Sequence, residues 1–331
     1  MLRYVPVLLP AAILVVLPAR SRAQDPARGP LMAEEGAPLQ RLGYTPMTEG
    51  ADPVDEGLLR ADLWLGYSNI FEQDSAADHN LYLDLERLLT AVTIRYGLPS
   101  DAEIGVRATF QTDWGGFLDG VVEELHNALG LGNRSRPDFP HGAYGQSLKD
   151  GDGRILVEIP RRAFGLEDVR LFGKWRAYAS EDGRHALSLR AVARVPTNPN
   201  IVGSERSDVG LMLLGRFGWR RWYVHAMAGG STVRRSPELQ GVLTTRQAFF
   251  AAAAEYPLRP GLSAVLQATG ATQLLRSFDD HDVDGAPLNV IVGLVGTVGT
   301  EWRWEMAFQE DAPPRGPSLD FTLQLALSRT W

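Results

Sequence analysis

Charged residues recur on alternate positions along much of this chain, and that spacing is where its chemistry would reside. Arg60 with Asp62, Asp84 with Glu86, Arg190 with Arg194 and Arg303 with Glu305 are each an even number of residues apart, as are Glu103 with Arg107 and Arg170 with Lys174 and Arg176. In an extended chain such positions share one face. Both signs are present, so two arrangements are open. Opposed charges facing an enclosed space pair across it and fill it. An arginine-rich wall around a narrow path favours anionic solutes instead.

Other groups offer less. Asp280, Asp282 and Asp284 followed by Gly285 place oxygen ligands on alternate positions, as in the first half of a calcium loop, but Ile291 stands where the bidentate carboxylate belongs. The triplet is a weak divalent-ion candidate within an acidic surface loop, and no metal site is assigned. His185 and Ser188 are three apart in a strand and point to opposite faces. His79, His141, His225 and His281 lack the tight His-x-Ser spacing of the barrel phospholipases, and His126 reads as a packing or capping residue. With no cysteine, thiolate metal sites and disulfide frameworks are excluded. No catalytic motif is present, so we expect neither an enzyme nor a cofactor.

The elements that position these charges begin after a leader. Arg3, an apolar run from Val5 to Pro18 and Ser21-Arg22-Ala23 have the layout of a cleaved signal peptide, residues 1–23. Removing its three arginines from the 33 basic residues leaves 30 against 40 acidic ones, which excludes the basic footprint of a nucleic-acid binder. Residues 24–57 are rich in proline, glycine and acidic side chains and show no period. They read as a periplasmic N-terminal segment, partly tucked into the domain formed by the rest of the chain. No later apolar run is long enough for a membrane helix.

From Leu58 to the end, residues 58–331, the pattern is alternation. Ala102, Ile104, Val106, Ala108 and Phe110 oppose Glu103, Arg107 and Gln111, and Trp302, Trp304, Met306 and Phe308 oppose Glu301, Arg303, Glu305 and Gln309. Segments of about ten residues separated by alternately short and long connections fit an antiparallel, up-and-down transmembrane β-barrel of about twelve strands, an even number as single-chain barrels require. Keeping that parity puts 152–159 in a strand-like excursion within one long external loop, 112–166. That loop carries a helix over Gly115–Leu131, with Phe117 and Val122 on its apolar side and Asp119 on its polar side; His126 lies on it too, and the helix would lie across the mouth or fold inward. In the second strand Leu81, Leu83 and Leu85 face one way and Val92 and Ile94 the other, so a bulge near Arg87 is expected. Aromatic residues gather near both proposed rims, Trp175, Trp222, Tyr223 and Trp302 among those at the periplasmic one, as interfacial girdles do.

The last strand alternates Phe321, Leu323, Leu325 and Leu327 and ends on Trp331. This pattern is similar to the signal read by the bacterial barrel-assembly machinery, with Arg329 the one departure on the apolar face. Beyond this, Tyr67-Ser68-Asn69-Ile70-Phe71, Arg95-Tyr96-Gly97-Leu98, Trp114 to Asp119 with His126, and Gly203-Ser204 to Asp208 give the chain its family resemblance. It resembles an uncharacterised, domain-of-unknown-function family of Gram-negative outer-membrane β-barrel proteins. The resemblance implies an outer-membrane location and no established activity.

The expected partners are therefore outer-membrane lipid, the barrel-assembly machinery and periplasmic chaperones. The expected function is a passive pore or transport protein for small or amphiphilic solutes. The alternative is a closed structural or adhesive barrel acting through its external loops, and a lipid hydrolase at the rim comes third.

Overall fold

A computed structural model describes residues 27–331 except 131–135, 159–163, 198–206, 236–238, 277, 279–280 and 313–320. The expected leader lies outside the described residues. The strands are β1 (Leu59–Ser75), β2 (His79–Leu98), β3 (Ala102–Trp114), β4 (Gly145–Asp150), β5 (Ile155–Glu158), β6 (Phe164–Ala179), β7 (Ala186–Pro196), β8 (Asp208–Trp219), β9 (Trp222–Thr232), β10 (Arg246–Arg259), β11 (Leu262–Ala271), β12 (Leu288–Val298), β13 (Trp302–Asp311) and β14 (Phe321–Thr330). Each pairs antiparallel with its neighbours in chain order, except that β6 follows β3, and β14 pairs back onto β1. That last pairing closes a twelve-stranded barrel and leaves the wall without an edge, the condition for strands to cross lipid. No described helix is long and apolar enough to cross a membrane.

β4 and β5 are not in the wall. They form a hairpin added onto the far part of β2, where Leu81 pairs with Leu148. The excursion expected at 152–159 is its second strand. The end of the barrel that carries the short turns, the start of β1 and Trp331 is termed the inner end; the other is the outer end.

Alternation sets what each face meets. Leu63, Ile104, Val106, Leu171, Leu213, Leu266, Val292 and Leu325 point out and are exposed, which gives the barrel an apolar belt. Tyr96, Trp175, Phe217, Trp219, Trp222, Trp302 and Trp331 ring its inner rim on the same outward side. Tyr223 does not join them; it is buried on the inward parity, with the Arg184 guanidinium over its ring. At the inner turn between β2 and β3, Ser100 and Asp101 both take left-handed backbone (φ 62° and 58°), the geometry of a tight primed hairpin turn.

The bulge expected near Arg87 is absent. β1 and β2 stay in register without a break from Leu59 opposite Tyr96 to Ser75 opposite Asn80. The polarity changes faces, not the strand. Beyond the belt these strands, 17 and 20 residues long, rise clear of the wall. There the inward face meets an apolar lid and the outward face meets a polar loop. Leu81, Leu83 and Leu85 pack inward with Ile70, Leu148, Leu156, Val233, Leu243, Leu274, Leu275 and Phe278, closing the outer mouth. Burial of each such side chain contributes about 1.5–3 kcal/mol.

Candidate functional site

The lumen is filled by the chain's own N-terminal segment. Residues 28–51 climb from the inner end, turn at a short 3-10 helix (Gln40–Leu42) and return, so that Leu39 and Leu42 at the tip join the outer lid. Of the segment expected in the periplasm, residues 24–57, this part is almost wholly inside the barrel. The physical reason is width. Twelve strands enclose more space than inward side chains alone can fill, and the irregular, proline-rich chain supplies the remainder.

No backbone-to-backbone hydrogen bond joins described residues 28–51 to the wall; side chains do this instead. Glu255 accepts the N–H groups of Arg28 (2.9 Å) and Gly29 (2.8 Å), and Glu305 that of Met32 (2.6 Å). Trp64 donates to the Met32 carbonyl (2.9 Å), Arg87 to that of Gly36 (2.9 Å), Arg194 to that of Gly43 (2.8 Å) and Arg170 to that of Thr45 (2.8 Å). Ser188 holds the Ala51 carbonyl on the return arm.

Two carboxylates of the hairpin sit among wall cations. Glu34 is fully buried and pairs with Arg107 (2.6 Å) and Arg170 (2.7 Å) on the wall and Arg41 (3.0 Å) on the hairpin itself. Arg41 continues to Glu167 on β6 (2.9 Å). Nearer the inner end, Glu49 pairs with Arg95 (2.5 Å) and Arg190 (2.8 Å), with Lys174 at 3.8 Å. Below the hairpin, a cavity of about 670 Å³ opens at the inner end, lined by Arg28, Arg60, Arg303, Glu103, Asp55 and Trp331 among others.

Most of the charges singled out in the sequence face this interior. Arg60 bonds Asp62 (2.7 Å), Asp62 accepts from Arg95 (2.9 Å), and Glu103 pairs with Arg95 (3.0 Å) and Lys174 (3.2 Å). Arg303 donates to the Arg28 and Pro30 carbonyls (2.8 and 2.9 Å) and pairs with Glu305. Arg194 pairs with Asp208 (2.7 Å). Arg176 sits at the inner turn, bonded to Asp101 and 3.4 Å from Asp52.

Asp84 and Glu86 do not line the lumen. With no bulge in β2 they share the outward parity of Val92 and Ile94, where the external loop covers them. Glu86 accepts the N–H groups of Phe117 (2.7 Å) and Leu118 and the Tyr67 hydroxyl. Gly116 takes left-handed backbone (φ 77°) against this carboxyl group, and a β-carbon there would overlap it. The loop's helix, α1 (Asp119–Leu129), begins just after. Asp119 is buried, accepting from Arg136 (2.6 Å), Asn69 (3.0 Å) and the Gly142 amide (2.7 Å). Val122 and His126 are buried too, but Phe117 and Val121 are exposed.

Asp280 and the side chain of Asp282 lie outside the described residues; among the described ones no three carboxylate or imidazole groups converge as metal ligands. In β14, Leu323, Leu325 and Leu327 face outward, and Arg329 on the same side stacks over the rings of Trp302 and Trp331 at 5.2 and 5.0 Å.

Several lumenal groups went unread in the sequence. Arg87 and Asp113 form a fully buried pair (2.8 Å), and Arg95 bridges three carboxylates. Unbroken parity from Arg95 back to Arg87 would have found both. Glu167 turns inward beside Asp168 only because the register shifts there, a bulge that no alternation reveals.

At the outer tip of β2, His79 places Nδ1 2.8 Å from Asp78 and Nε2 2.7 Å from Asp74, with Phe278 packed edge-on. Burial lowers an imidazole's pKa, but here the two carboxylates outweigh it and raise it. Only the imidazolium donates from both nitrogens. Its contribution is complete below the ordinary histidine value and fades as pH rises through the raised one. We expect labelled His79 to titrate by NMR above the ordinary histidine value, and His79→Gln to remove the alkaline loosening of the 74–79 hairpin in hydrogen exchange.

A closed twelve-stranded antiparallel barrel with a belted exterior and a polar, occupied interior is the fold of outer-membrane channels. An outer-membrane channel from Pseudomonas putida F1 superposes with a TM-score of 0.56 at 13% identity, covering 86% of this chain and 99% of that one. The NanC porin aligns over 81% of this chain and 98% of its own at 7% identity, with a TM-score of 0.47. No curated protein matches the chain. The chain belongs to DUF3187, a family of proteins of unknown function, whose profile matches residues 4–331.

Proposed function

We propose that this protein is an outer-membrane channel for small or amphiphilic solutes, closed by its own N-terminal hairpin and selective for anions when the hairpin yields. One observation carries this reading: the hairpin contributes no strand to the sheet and makes no described backbone-to-backbone hydrogen bond with it, resting instead on charged and amide side chains and on apolar ones such as Phe249, Val265 and Ile291. It can therefore leave without breaking the barrel. Buried ion pairs give little net stability over apolar packing, so a barrel built only to stay shut gains nothing from them. A wall that meets water in a second state requires them.

Charge sets the preference. Residues 28–52 carry four acidic and two basic side chains, and Arg107 and Arg190 find their carboxylate partners on this segment. Its departure leaves an arginine-lined path, which favours anions. The same reading includes export by the leader, passage with periplasmic chaperones and recognition of the Phe321–Trp331 strand by the assembly machinery, with the inner end in the periplasm. It involves no catalytic step.

The cysteine-free chain allows a direct test. A cysteine pair at Ala51 and Ser188 would pin the return arm to the wall. In planar bilayers the oxidised protein should be silent and the reduced protein should open, with a reversal potential favouring chloride over potassium. Openings unaffected by oxidation would remove the hairpin from the gate, and silence in both states across a wide voltage range would favour a closed structural barrel.

A further inference from the structure

From its placement we infer that α1 is an in-plane membrane element, seated on the outer rim of the barrel with its Phe117–Val121 flank in the lipid interface. The sequence alone suggested a helix across the mouth or folded inward, but the helix region meets the wall on its outward side. Glu86 on β2 holds its start, Asn69 on β1 holds Asp119 at 3.0 Å, and His126 lies 3.7 Å from Glu310 on β13. All three wall residues share the parity of the exposed belt.

The dimensions agree with a helix lying across the strands. From β1 past β14 to β13 is two inter-strand steps, about 9.6 Å. Asp119 to His126 is seven residues, a rise of about 10.5 Å. The helix thus runs along the rim and does not project from it.

Its faces divide accordingly. The stripe Asp119, Val122 and His126 is buried on the wall. To one side of that stripe lie Phe117 and Val121, 73% and 58% exposed; to the other lie Glu123 and Asn127. Phe117 stands 6.3 Å from the ring of Tyr67, itself 5.5 Å from Trp114, at the top of the outward belt. The apolar flank therefore continues the surface that faces lipid, while the polar flank of Glu123 and Asn127 turns away and the exposed Glu124 stands opposite the buried stripe. Such a partition suits an amphipathic helix at the boundary between headgroups and acyl chains.

Single cysteines at Val121 and Asn127 of the full-length protein, spin-labelled in phosphatidylcholine vesicles, test this. The label at 121 should collide several-fold more with oxygen than with a water-soluble nickel chelate, and the label at 127 should show the reverse. The seating is overturned if 121 is as open to nickel as 127, which means a loop in water. It is equally overturned if 121 is shielded from both quenchers, which means a protein surface such as a second copy covers it. A shift in gel migration between unheated and boiled samples would verify that each labelled barrel is closed.

Discussion

Replacing Glu34 with glutamine is expected to weaken the hold of the hairpin by about 3–5 kcal/mol, the range for removing one partner of a buried ion pair. The side chain is fully buried and serves Arg107, Arg170 and Arg41 together. Arg170 retains Asp168 at 2.9 Å and Arg41 retains Glu167. Arg107 is the group stranded, since among the described residues no other carboxylate pairs with it. An uncompensated guanidinium in the closed state can regain water only if the hairpin moves, so the cost falls on closure and not on the sheet. At about 1.4 kcal/mol per factor of ten, the ratio of open to closed barrels should rise by two to four powers of ten. Single-channel recording would show frequent openings where the parent shows few. Glu34→Gln combined with Arg107→Gln should recover much of the closure, because the stranded charge is gone. A Glu34→Gln barrel as silent as the parent would mean that the remaining side-chain and apolar contacts hold the hairpin and that the lumen is permanently sealed.

The sequence revealed the wall more fully than its contents. Inside the belt one rule holds: alternation separates a lipid-facing side from a lumenal side, although the lumenal side mixes charges with apolar residues such as Leu214, Val265 and Ile291 that meet the hairpin. Glu103, Arg107, Gln111 and Asp113 on β3 obey it without exception. The rule holds only while lipid lies outside. At Glu86 the environment inverts, and alternation cannot register an inversion except as an apparent bulge. The hairpin has no period because it belongs to no regular element; Glu34, Arg41 and Glu49 acquire their roles from wall residues far away in the chain. Tyr223 shows the same limit on a smaller scale, since closeness to an inner turn says nothing about which face an aromatic takes.

Glu86→Ala separates the two placements of that residue. A lumenal Glu86 would change conductance or selectivity when truncated and leave the external loop intact. The observed contacts require the opposite. The carboxylate satisfies the amides of Phe117 and Leu118, which precede α1 and have no helical partner, and it accepts the Tyr67 hydroxyl as well. Losing this acceptor strands two backbone donors at the helix start, at a cost of about 2–4 kcal/mol. That cost should fall on the docking of α1 to the rim, because β1 and β2 keep their complete ladder. Hydrogen exchange over 116–130 should accelerate by about one and a half to three orders of magnitude, and protease should nick the loop between 115 and 143. The heat resistance of the barrel and its conductance should match the parent. A conductance change without loosening of the loop would return Glu86 to the lumen and require the missing bulge after all. Loosening alone would fix the point on β2 where the membrane ends, since Glu86 is the first outward residue beyond Leu88 that a polar loop, and not lipid, must cover.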